Sequence, residues 1–330
     1  MEGIGVGVAG FWHVHANDYA RQVVDHPRTQ LVAGWDRDAK LAEDGAATLG
    51  LPLVDDLDTL LALPEVDAVT VTTATSDHVD VIRRALQAGK HVYTEKLLAP
   101  SVAECEALIK EAEAQGVQLV VSLPRLSEPA TVAASRLIAE GELGRVTYAR
   151  VRMAHDGWLG GWLPDRFADP STAVGGAFTD LGCHPAYLVQ RFLGSAPSTV
   201  SASYGDVTGH GVEDNAVVVA RYADGAIGVA EASFVTTPGA SAFEVRGTEA
   251  TLLHGFGGEE LIGKGGRFGD AWTRVELPDA QPHPFQLWVD AIQGRADGSE
   301  NRAAAVELTR LVVAANEAAD TGRTIEYDAR

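Results

Sequence analysis

Short apolar runs rich in β-branched residues alternate with helical stretches along the first 123 residues, and this alternation constrains the fold most strongly. Strand–helix–strand units of this kind are right-handed and build a parallel sheet. The runs are continuously apolar, which is typical of strands covered by helices on both faces of the sheet. The predicted strands are Ile4–Ala9, Leu31–Trp35, Val66–Thr73, His91–Tyr93 and Val117–Val121.

The pattern changes after Pro124 to consecutive strands joined by turns. Val146–Met153 alternates in strand fashion, and a turn at Asp224-Gly225 separates the runs Val217–Tyr222 and Ile227–Phe234. Such a turn between two strands indicates a β-hairpin. The sequence therefore predicts two domains: a parallel α/β domain over residues 1–123 and an α+β domain over residues 124–330, the second with a largely antiparallel open sheet.

The charge of the chain limits its classes of partner, and its cysteine content indicates the cellular environment. The chain carries 26 basic and 46 acidic residues, a net charge of −20, which argues against nucleic acid and anionic membranes as partners. Two cysteines, Cys105 and Cys183, are too few for a disulfide framework in 330 residues, so we expect a reducing, cytoplasmic environment. No apolar run approaches the ~18–20 residues that span a bilayer, and the first residues lack a basic segment.

A glycine-rich segment ends the first predicted strand. Residues 5–10 read G-V-G-V-A-G and match the dinucleotide fingerprint literally. A phosphate-binding loop must follow the strand, so that amides at the next helix N-terminus face the pyrophosphate. Gly5 and Gly7 lie inside the apolar run, so we place the loop later. A strand–turn–helix without a ligand is the alternative interpretation. The predicted Rossmann-type loop comprises Gly10, Phe11, Trp12, His13 and Val14.

An acidic residue at the end of the second predicted strand points to the same ligand. Asp36 follows Trp35 there, and a carboxylate in this position accepts hydrogen bonds from ribose hydroxyls and repels a 2′-phosphate. We therefore favour NAD over NADP as the cofactor. Arg37 could receive the 2′-phosphate, so NADP stays open, and an N-cap role for Asp36 is the structural alternative.

Two further positions carry groups suited to proton and charge chemistry. Lys96 comes just past the carboxyl end of a predicted parallel strand, where ligands of open α/β sheets bind, and it could stabilise an alkoxide. Asp180 and His184 are four residues apart. If one helix includes both, the carboxylate orients the imidazole and raises its basicity. The alternative is a capping aspartate and a buried core histidine.

The sequence predicts no metal site. Cys183 and His184 have no second Cys/His pair at ligand spacing. His13 and His15 lie close together in the chain, but we find no third ligand near them.

The chain resembles the Gfo/Idh/MocA family of NAD(P)-dependent oxidoreductases, named for glucose–fructose oxidoreductase and inositol dehydrogenase relatives. The resemblance runs from about Ile4 to Glu326, and several moderately specific segments occur in the family's order. These segments are VDAVTVTTATSDHVDVIRRALQAGKHVYTEK at residues 66–96, GELGRV at 141–146, GGAFTDLGCH at 175–184 and GTE at 247–249.

The resemblance implies an oxidoreductase that transfers a hydride between nicotinamide and a carbinol carbon of a cyclic polyol, sugar or sugar derivative. In this scheme His184 accepts the hydroxyl proton, Lys96 stabilises the oxyanion and Asp180 orients both. It also implies a homodimer or homotetramer. The implied cofactor-binding residues are Gly10, Phe11, Trp12, His13, Val14, Asp36, Arg37, Thr73, His78, Glu95 and Lys96.

Some positions depart from the family pattern. Leu97 replaces the proline of the Glu-Lys-Pro motif, Ala74 stands where relatives usually have proline, and Trp12 and His15 replace loop glycines. The resemblance also includes NAD-using glycosidases, which oxidise their substrate transiently, and non-catalytic regulators that sense a ligand. The complete set of Lys96, Asp180 and His184 argues against a regulator.

Overall fold

The computed structural model describes residues 3–327, in which helices and strands are joined by loops. The strands are β1 (Ile4–Ala9), β2 (Thr29–Trp35), β3 (Ala68–Val71), β4 (His91–Thr94), β5 (Leu119–Val121), β6 (Val146–Ala154), β7 (Thr199–Gly205), β8 (Asn215–Arg221), β9 (Ile227–Ser233), β10 (Ala240–Gly247), β11 (Ala250–His254), β12 (Leu261–Gly265), β13 (Thr273–Arg274) and β14 (Ile325–Glu326). The helices are α1 (Ala16–Asp25), α2 (Ala39–Leu49), α3 (Leu57–Ala62), α4 (His78–Gln87), α5 (Val102–Gln115), α6 (Pro129–Ala139), α7 (Pro170–Ala173), α8 (Ala177–Asp180), α9 (Cys183–Leu193), α10 (Pro284–Ile292) and α11 (Ser299–Thr321). Within residues 3–327, none of these helices is both long and apolar enough to cross a membrane.

The chain divides into two compact units. Unit 1 contains Met1–Ser122 and Pro284–Val306, and unit 2 contains Leu123–His283 and Glu307–Arg330. The sequence predicts a single boundary between residues 123 and 124. The structure has the chain enter unit 2 at that point and return to unit 1 near residue 284.

Unit 1 is built on a parallel sheet of five strands in the order β2-β1-β3-β4-β5. All of its strand pairs are parallel, so the carboxyl ends of the strands lie at one edge. Strands β2 and β3 flank β1 on opposite sides, and ligands of open α/β sheets bind at such a switch point. The predicted Rossmann-type architecture is confirmed for this part of the chain.

Aromatic packing explains why residues 284–306 belong to unit 1. On α10, the rings of Phe285 and Trp288 lie 5.5 and 5.6 Å from the ring of Tyr93 on β4, between centroids. On α11, the Asn301 amide accepts a hydrogen bond from the backbone N–H of Val121 and donates to its carbonyl, both at 2.8 Å. These contacts join segments more than 160 residues apart, which local sequence patterns do not reveal.

Unit 2 is built on a nine-stranded sheet in the order β13-β12-β11-β10-β6-β9-β8-β7-β14. Among the described strand pairs of this second sheet, only β6 and β9 pair parallel. The predicted hairpin joins β8 and β9, which pair antiparallel, and Gly225 adopts φ +91° in its turn. Helix α9 packs on the sheet, where Phe192 and Phe243 have ring centroids 5.1 Å apart. The prediction of an α+β unit with a largely antiparallel sheet is confirmed.

Two glycines inside β1 differ in the space around them. A Cβ atom on Gly5 would lie 1.7 Å from the carbonyl oxygen of Glu65, whereas one on Gly7 would first meet the Leu60 side chain at 3.1 Å. We predict that Gly5→Ala lowers the free energy of unfolding by about 3 kcal/mol, because backbone must move, and that Gly7→Ala costs about 1 kcal/mol or less. Urea unfolding of the two variants measures the difference, and equal losses would contradict this packing.

Candidate active site

The loop that follows β1 requires glycine at its first position. Gly10 has φ +102°, a conformation that disfavours side chains, and a Cβ atom there would lie 2.5 Å from the backbone nitrogen of Thr73. Its N–H donates to the carbonyl of Trp35 at 2.7 Å. Gly10 therefore lets the chain pass closely between the ends of β2 and β3, which is where the sequence places the start of the phosphate loop.

The next loop residue anchors the loop in the core. The Phe11 side chain is 6% exposed and packs with Val8, Ala16 and Leu51. A Cβ atom on Gly45 of α2 would lie 2.2 Å from the Phe11 ring, so glycine there makes room for it. The Phe11 side chain is thus structural. Among the remaining loop residues, Trp12 and His13 are buried and Val14 is exposed.

Asp36 connects the loop to the end of β2. Its Oδ2 accepts a hydrogen bond from the Phe11 N–H at 2.5 Å, and its Oδ1 accepts one from the Asp38 N–H at 2.8 Å. Burial raises the pKa of Asp36 and outweighs these hydrogen bonds. The N-cap of α2 is Asp38, whose side chain accepts from the N–H groups of Lys40 and Leu41. The alternative interpretation of Asp36 as the helix cap is therefore wrong.

Arg37 already lies beside two carboxylates. Its guanidinium is 3.2 Å from Asp77 and 3.7 Å from Asp80, and its side chain is 60% exposed. A 2′-phosphate of NADP would have to compete with these carboxylates for the guanidinium. The charges around Asp36 and Arg37 favour NAD on electrostatic grounds.

Thr73 and His78 lie beyond the carboxyl end of β3. The Thr73 Oγ1 atom is buried and has no hydrogen-bond partner within residues 3–327, which fits a polar ligand at this position. The Nδ1 of His78 donates to the carbonyl of Leu97 at 2.7 Å. Burial lowers the pKa of His78 to about 4, so the imidazole is neutral near pH 7. The peptide bond between Lys96 and Leu97 is cis.

A buried carboxylate organises the residues beyond β4. Glu95 is 1% exposed; its Oε1 accepts hydrogen bonds from the His15 Nδ1 at 2.7 Å and from the Tyr19 hydroxyl. Its Oε2 accepts from the Lys96 backbone N–H at 3.0 Å and lies 3.5 Å from the Lys96 Nζ. Burial opposes ionisation, but Lys96, His13 and His15 hold the pKa of Glu95 well below its ordinary value. The charged carboxylate therefore orients the buried lysine.

The same cluster supplies the third metal-ligating group that the sequence analysis did not find. Ligating atoms of His13, His15 and Glu95 all lie within 4.8 Å of one another. Glu95 is 80 residues from His15, so spacing along the chain gives no sign of the approach. The premise that His13 and His15 lack a third ligand nearby is therefore wrong.

In unit 2, Asp180 and His184 lie on two successive helices instead of one. Helix α8 ends at Asp180, and α9 begins at Cys183 after Gly182. A Cβ atom on Gly182 would lie 2.5 Å from the carbonyl oxygen of Phe178, so glycine permits this tight junction. The condition that one helix includes both residues is therefore not met, although both lie on adjoining turns.

Tyr187 is a site residue that sequence reasoning missed. The Nδ1 of His184 lies 2.8 Å from the Tyr187 hydroxyl, which also accepts a hydrogen bond from the Arg125 backbone N–H at 3.1 Å. Burial raises the pKa of Tyr187 well above its ordinary value, so the hydroxyl stays protonated. The spacing of three residues on α9 was visible in the sequence, but a tyrosine there is equally typical of a helix core.

Glu213 holds the start of α8 in place. Its carboxylate accepts hydrogen bonds from the N–H groups of Gly176 and Phe178 at 2.9 and 3.0 Å, and its carbonyl accepts one from Ala177 at 2.7 Å. A Cβ atom on Gly176 would lie 2.1 Å from the Glu213 carbonyl oxygen. Glycine at position 176 is therefore explained by the close approach of Glu213, a contact that no local motif indicates, whereas Gly175 makes room for the Thr179 side chain.

Comparison with known proteins decides the family. Residues 4–123 match the family described as "Oxidoreductase family, NAD-binding Rossmann fold", and residues 131–253 match the GFO/IDH/MocA C-terminal domain. The chain belongs to the GFO/IDH/MocA family. The expected NAD-binding domain and oxidoreductase class are thus confirmed.

Among its relatives in this family, scyllo-inositol 2-dehydrogenase (NAD(+)) of Bacillus subtilis (strain 168) is 30% identical over 268 residues, 76% of this chain and 72% of the relative. D-Xylose 1-dehydrogenase (NADP(+)) 2 of Haloferax volcanii is 28% identical over 318 residues, 94% of each chain. The crystal structure of GenD2 from gentamicin A biosynthesis, in complex with NAD, has a TM-score of 0.83 at 29% identity and covers 100% of this chain and 97% of its own.

Burial of His78 makes stability depend on pH. Its pKa is about 4 in the folded protein and about 6.5 when unfolded, so between these values the unfolded state binds more protons. Stability is therefore fully present above about pH 6.5 and falls as the pH drops towards 4, by about 3 kcal/mol from this group.

We predict that His78→Asn, which keeps an N–H donor for the Leu97 carbonyl, loses about 3 kcal/mol less stability between pH 7 and 4 than the wild type. Urea unfolding at several pH values measures both curves. Parallel curves would show that His78 titrates normally in the folded protein.

Proposed function

We propose that this protein is an NAD(P)-dependent dehydrogenase or reductase that transfers a hydride between nicotinamide and a carbinol carbon of a cyclic polyol, sugar or sugar derivative. The observation that carries the proposal is the lysine at the ligand-binding edge of the parallel sheet. Lys96 is 4% exposed, follows β4 and is oriented by the charged Glu95. Two relatives, an inositol dehydrogenase and a xylose dehydrogenase, support this substrate class.

The cofactor would be held by residues at the carboxyl ends of β1 to β4. The loop from Gly10 to Val14 leads into α1, whose N-cap residue His15 makes no side-chain hydrogen bond to the first turn. Amides at such a helix start suit a pyrophosphate. Asp36 would bind the ribose hydroxyls, and the unpartnered Thr73 Oγ1 fits a polar group on the nicotinamide side. When bound, NAD supplies the hydride acceptor or, reduced, the hydride donor.

The chain's own groups would manage charge and protons. The Lys96 ammonium would stabilise the oxyanion that develops as the hydroxyl is deprotonated. With the His184 Nδ1–H donating to the Tyr187 hydroxyl oxygen, the Nε2 lone pair would accept the substrate proton. Asp180 would orient the imidazole and the ammonium. Tyr187 and Glu213 enter this scheme as positioning residues.

A substrate panel tests the proposal directly. We expect steady formation of reduced nicotinamide, followed by its absorbance, with NAD and at least one inositol, aldopentose or aldohexose. Cleavage of a glycoside without net cofactor reduction would instead identify an NAD-using glycosidase. No turnover across polyols, sugars and glycosides would contradict both.

Lys96→Met should lower kcat by about 100-fold, the scale of losing one oxyanion stabiliser, and change NAD affinity by less than about threefold. Steady-state kinetics and NAD titration by tryptophan fluorescence measure the two effects. The matched control is Lys40→Met, which removes an exposed lysine whose ammonium pairs with Asp44 on the same helix. A Lys96 variant with normal turnover would remove the lysine from the mechanism.

Asp36→Ser should raise kcat/KM for NADP relative to NAD about tenfold, or ~1.4 kcal/mol, because a repulsive carboxylate is lost and Arg37 remains. The control is Asp38→Ser, which removes a neighbouring carboxylate while serine still caps α2. A ratio that does not move in Asp36→Ser, or that moves equally in Asp38→Ser, would reject the ribose-binding role.

We also propose that the protein works in the cytoplasm as a homodimer or homotetramer. Both cysteines, Cys105 and Cys183, are buried and form no disulfide within the described residues, which suits a reducing compartment. Val217 and Ile227 are 38% and 39% exposed on the nine-stranded sheet and offer apolar surface to a second copy. The net charge of −20 argues against nucleic-acid and membrane partners.

A further inference from the structure

Three potential metal ligands converge beside the loop that follows β1. We propose that His13, His15 and Glu95 bind a single divalent transition-metal ion such as Zn²⁺, and that the bound ion inhibits the dehydrogenase. The binding half of this proposal stands on unit 1 alone. The inhibitory half rests on the proposed function.

The distances suit a tetrahedral ion. The Oε1 of Glu95 lies 2.7 Å from the His15 Nδ1 and 4.0 Å from the His13 Nδ1. Around Zn²⁺, with bonds of about 2.0–2.2 Å, neighbouring tetrahedral ligand atoms are about 3.3–3.5 Å apart. The two observed distances bracket that value, and the ligating nitrogens of the two histidines lie within 4.8 Å of each other, so displacements of about 1–1.5 Å bring all three atoms to tetrahedral spacing.

An ion at this position replaces weak or exchangeable contacts. It would take the place of the proton shared by His15 and Glu95. It would also replace the hydrogen bond of 3.2 Å from the His15 backbone N–H to the His13 Nδ1. The Lys96 ammonium contacts Oε2, the other oxygen of the Glu95 carboxylate, so it does not occupy the position proposed for the ion.

The donor set and its surroundings indicate which ion would bind. Two imidazoles and one carboxylate form the ligand set of zinc sites with an open coordination position. Imidazole nitrogen favours zinc, copper and nickel over magnesium and calcium. The Tyr19 hydroxyl donates to Glu95 Oε1 and so orients the carboxylate from outside the site. The His15 side chain is 39% exposed and gives the ion a route from solvent.

The site couples metal binding to turnover. His13 belongs to the loop that would cradle the cofactor, and Glu95 orients Lys96. An ion bound to Glu95 Oε1 withdraws negative charge from the carboxylate and so weakens its attraction for the Lys96 ammonium. An ion bound to the loop also competes with NAD binding, so we expect a high NAD concentration to relieve the inhibition.

Direct titration tests the binding half. Full-length enzyme is freed of metal with a chelator and titrated with Zn²⁺ against a chromophoric chelator, and with Co²⁺ by its visible absorption. We expect one ion per chain and the intense Co²⁺ bands of a tetrahedral site. His15→Ala should weaken binding by at least about 100-fold, and Tyr19→Phe by about tenfold. The control is His26→Ala, whose histidine contacts Gln286 and should not affect the ion.

Each result bears on one half of the proposal. Absence of stoichiometric binding, or binding that His15→Ala leaves unchanged, overturns the site. Thermal melting checks that His15→Ala folds. If that variant does not fold, His13→Ala takes its place, and we expect it to weaken metal binding equally. In the kinetic arm, Zn²⁺ should inhibit the wild type less at high NAD and should not inhibit His15→Ala. Full activity of the zinc-loaded enzyme overturns the inhibitory half, whereas failure to find any substrate overturns the proposed function and leaves the binding result standing.

Discussion

The ionised carboxylate of Glu95 inside unit 1 is the interaction on which the candidate site depends. A buried charge costs several kcal/mol unless charged and hydrogen-bonding partners compensate it. Here Lys96 lies on one oxygen, while His15 and Tyr19 donate to the other. Lys96 lies just after β4, His15 in the loop after β1, and Tyr19 on α1. Because an unpaired Glu95 would be destabilising, these three segments are held in one arrangement.

Much of the fold follows from local sequence patterns. The continuous apolar runs predict the parallel strands, and the predicted bounds of β1, Ile4–Ala9, coincide with those in the structure. Helix ends are marked by residues with strong conformational preferences, such as Gly50 and Gly116, which adopt positive φ after α2 and α5. The return of residues 284–306 to unit 1 depends instead on aromatic packing against Tyr93, which has no local signature.

The candidate site divides in the same way. Topology alone places Gly10, Asp36 and Lys96 at the carboxyl ends of strands, because parallel strands present those ends at one edge. The contacts that hold catalytic candidates in place were not predictable. Glu213 reaches Gly176 across 37 residues, and Glu95 reaches His15 across 80. Such pairs are fixed by tertiary packing, and a single sequence contains no spacing rule that reveals them.

The side-chain amide of Asn301 has a consequence for how the protein behaves among other chains. Strand β5 is one edge of the parallel sheet, and Asn301 occupies both backbone hydrogen-bonding groups of Val121 there. At the opposite edge, Gly34 of β2 donates to the Pro52 carbonyl and accepts from Val54. Exposed edge groups are templates on which strands of other molecules add and aggregates grow. Each border of this sheet is thus blocked by the chain itself at one residue, Val121 on β5 and Gly34 on β2, which hinders the addition of a strand from another molecule at these points.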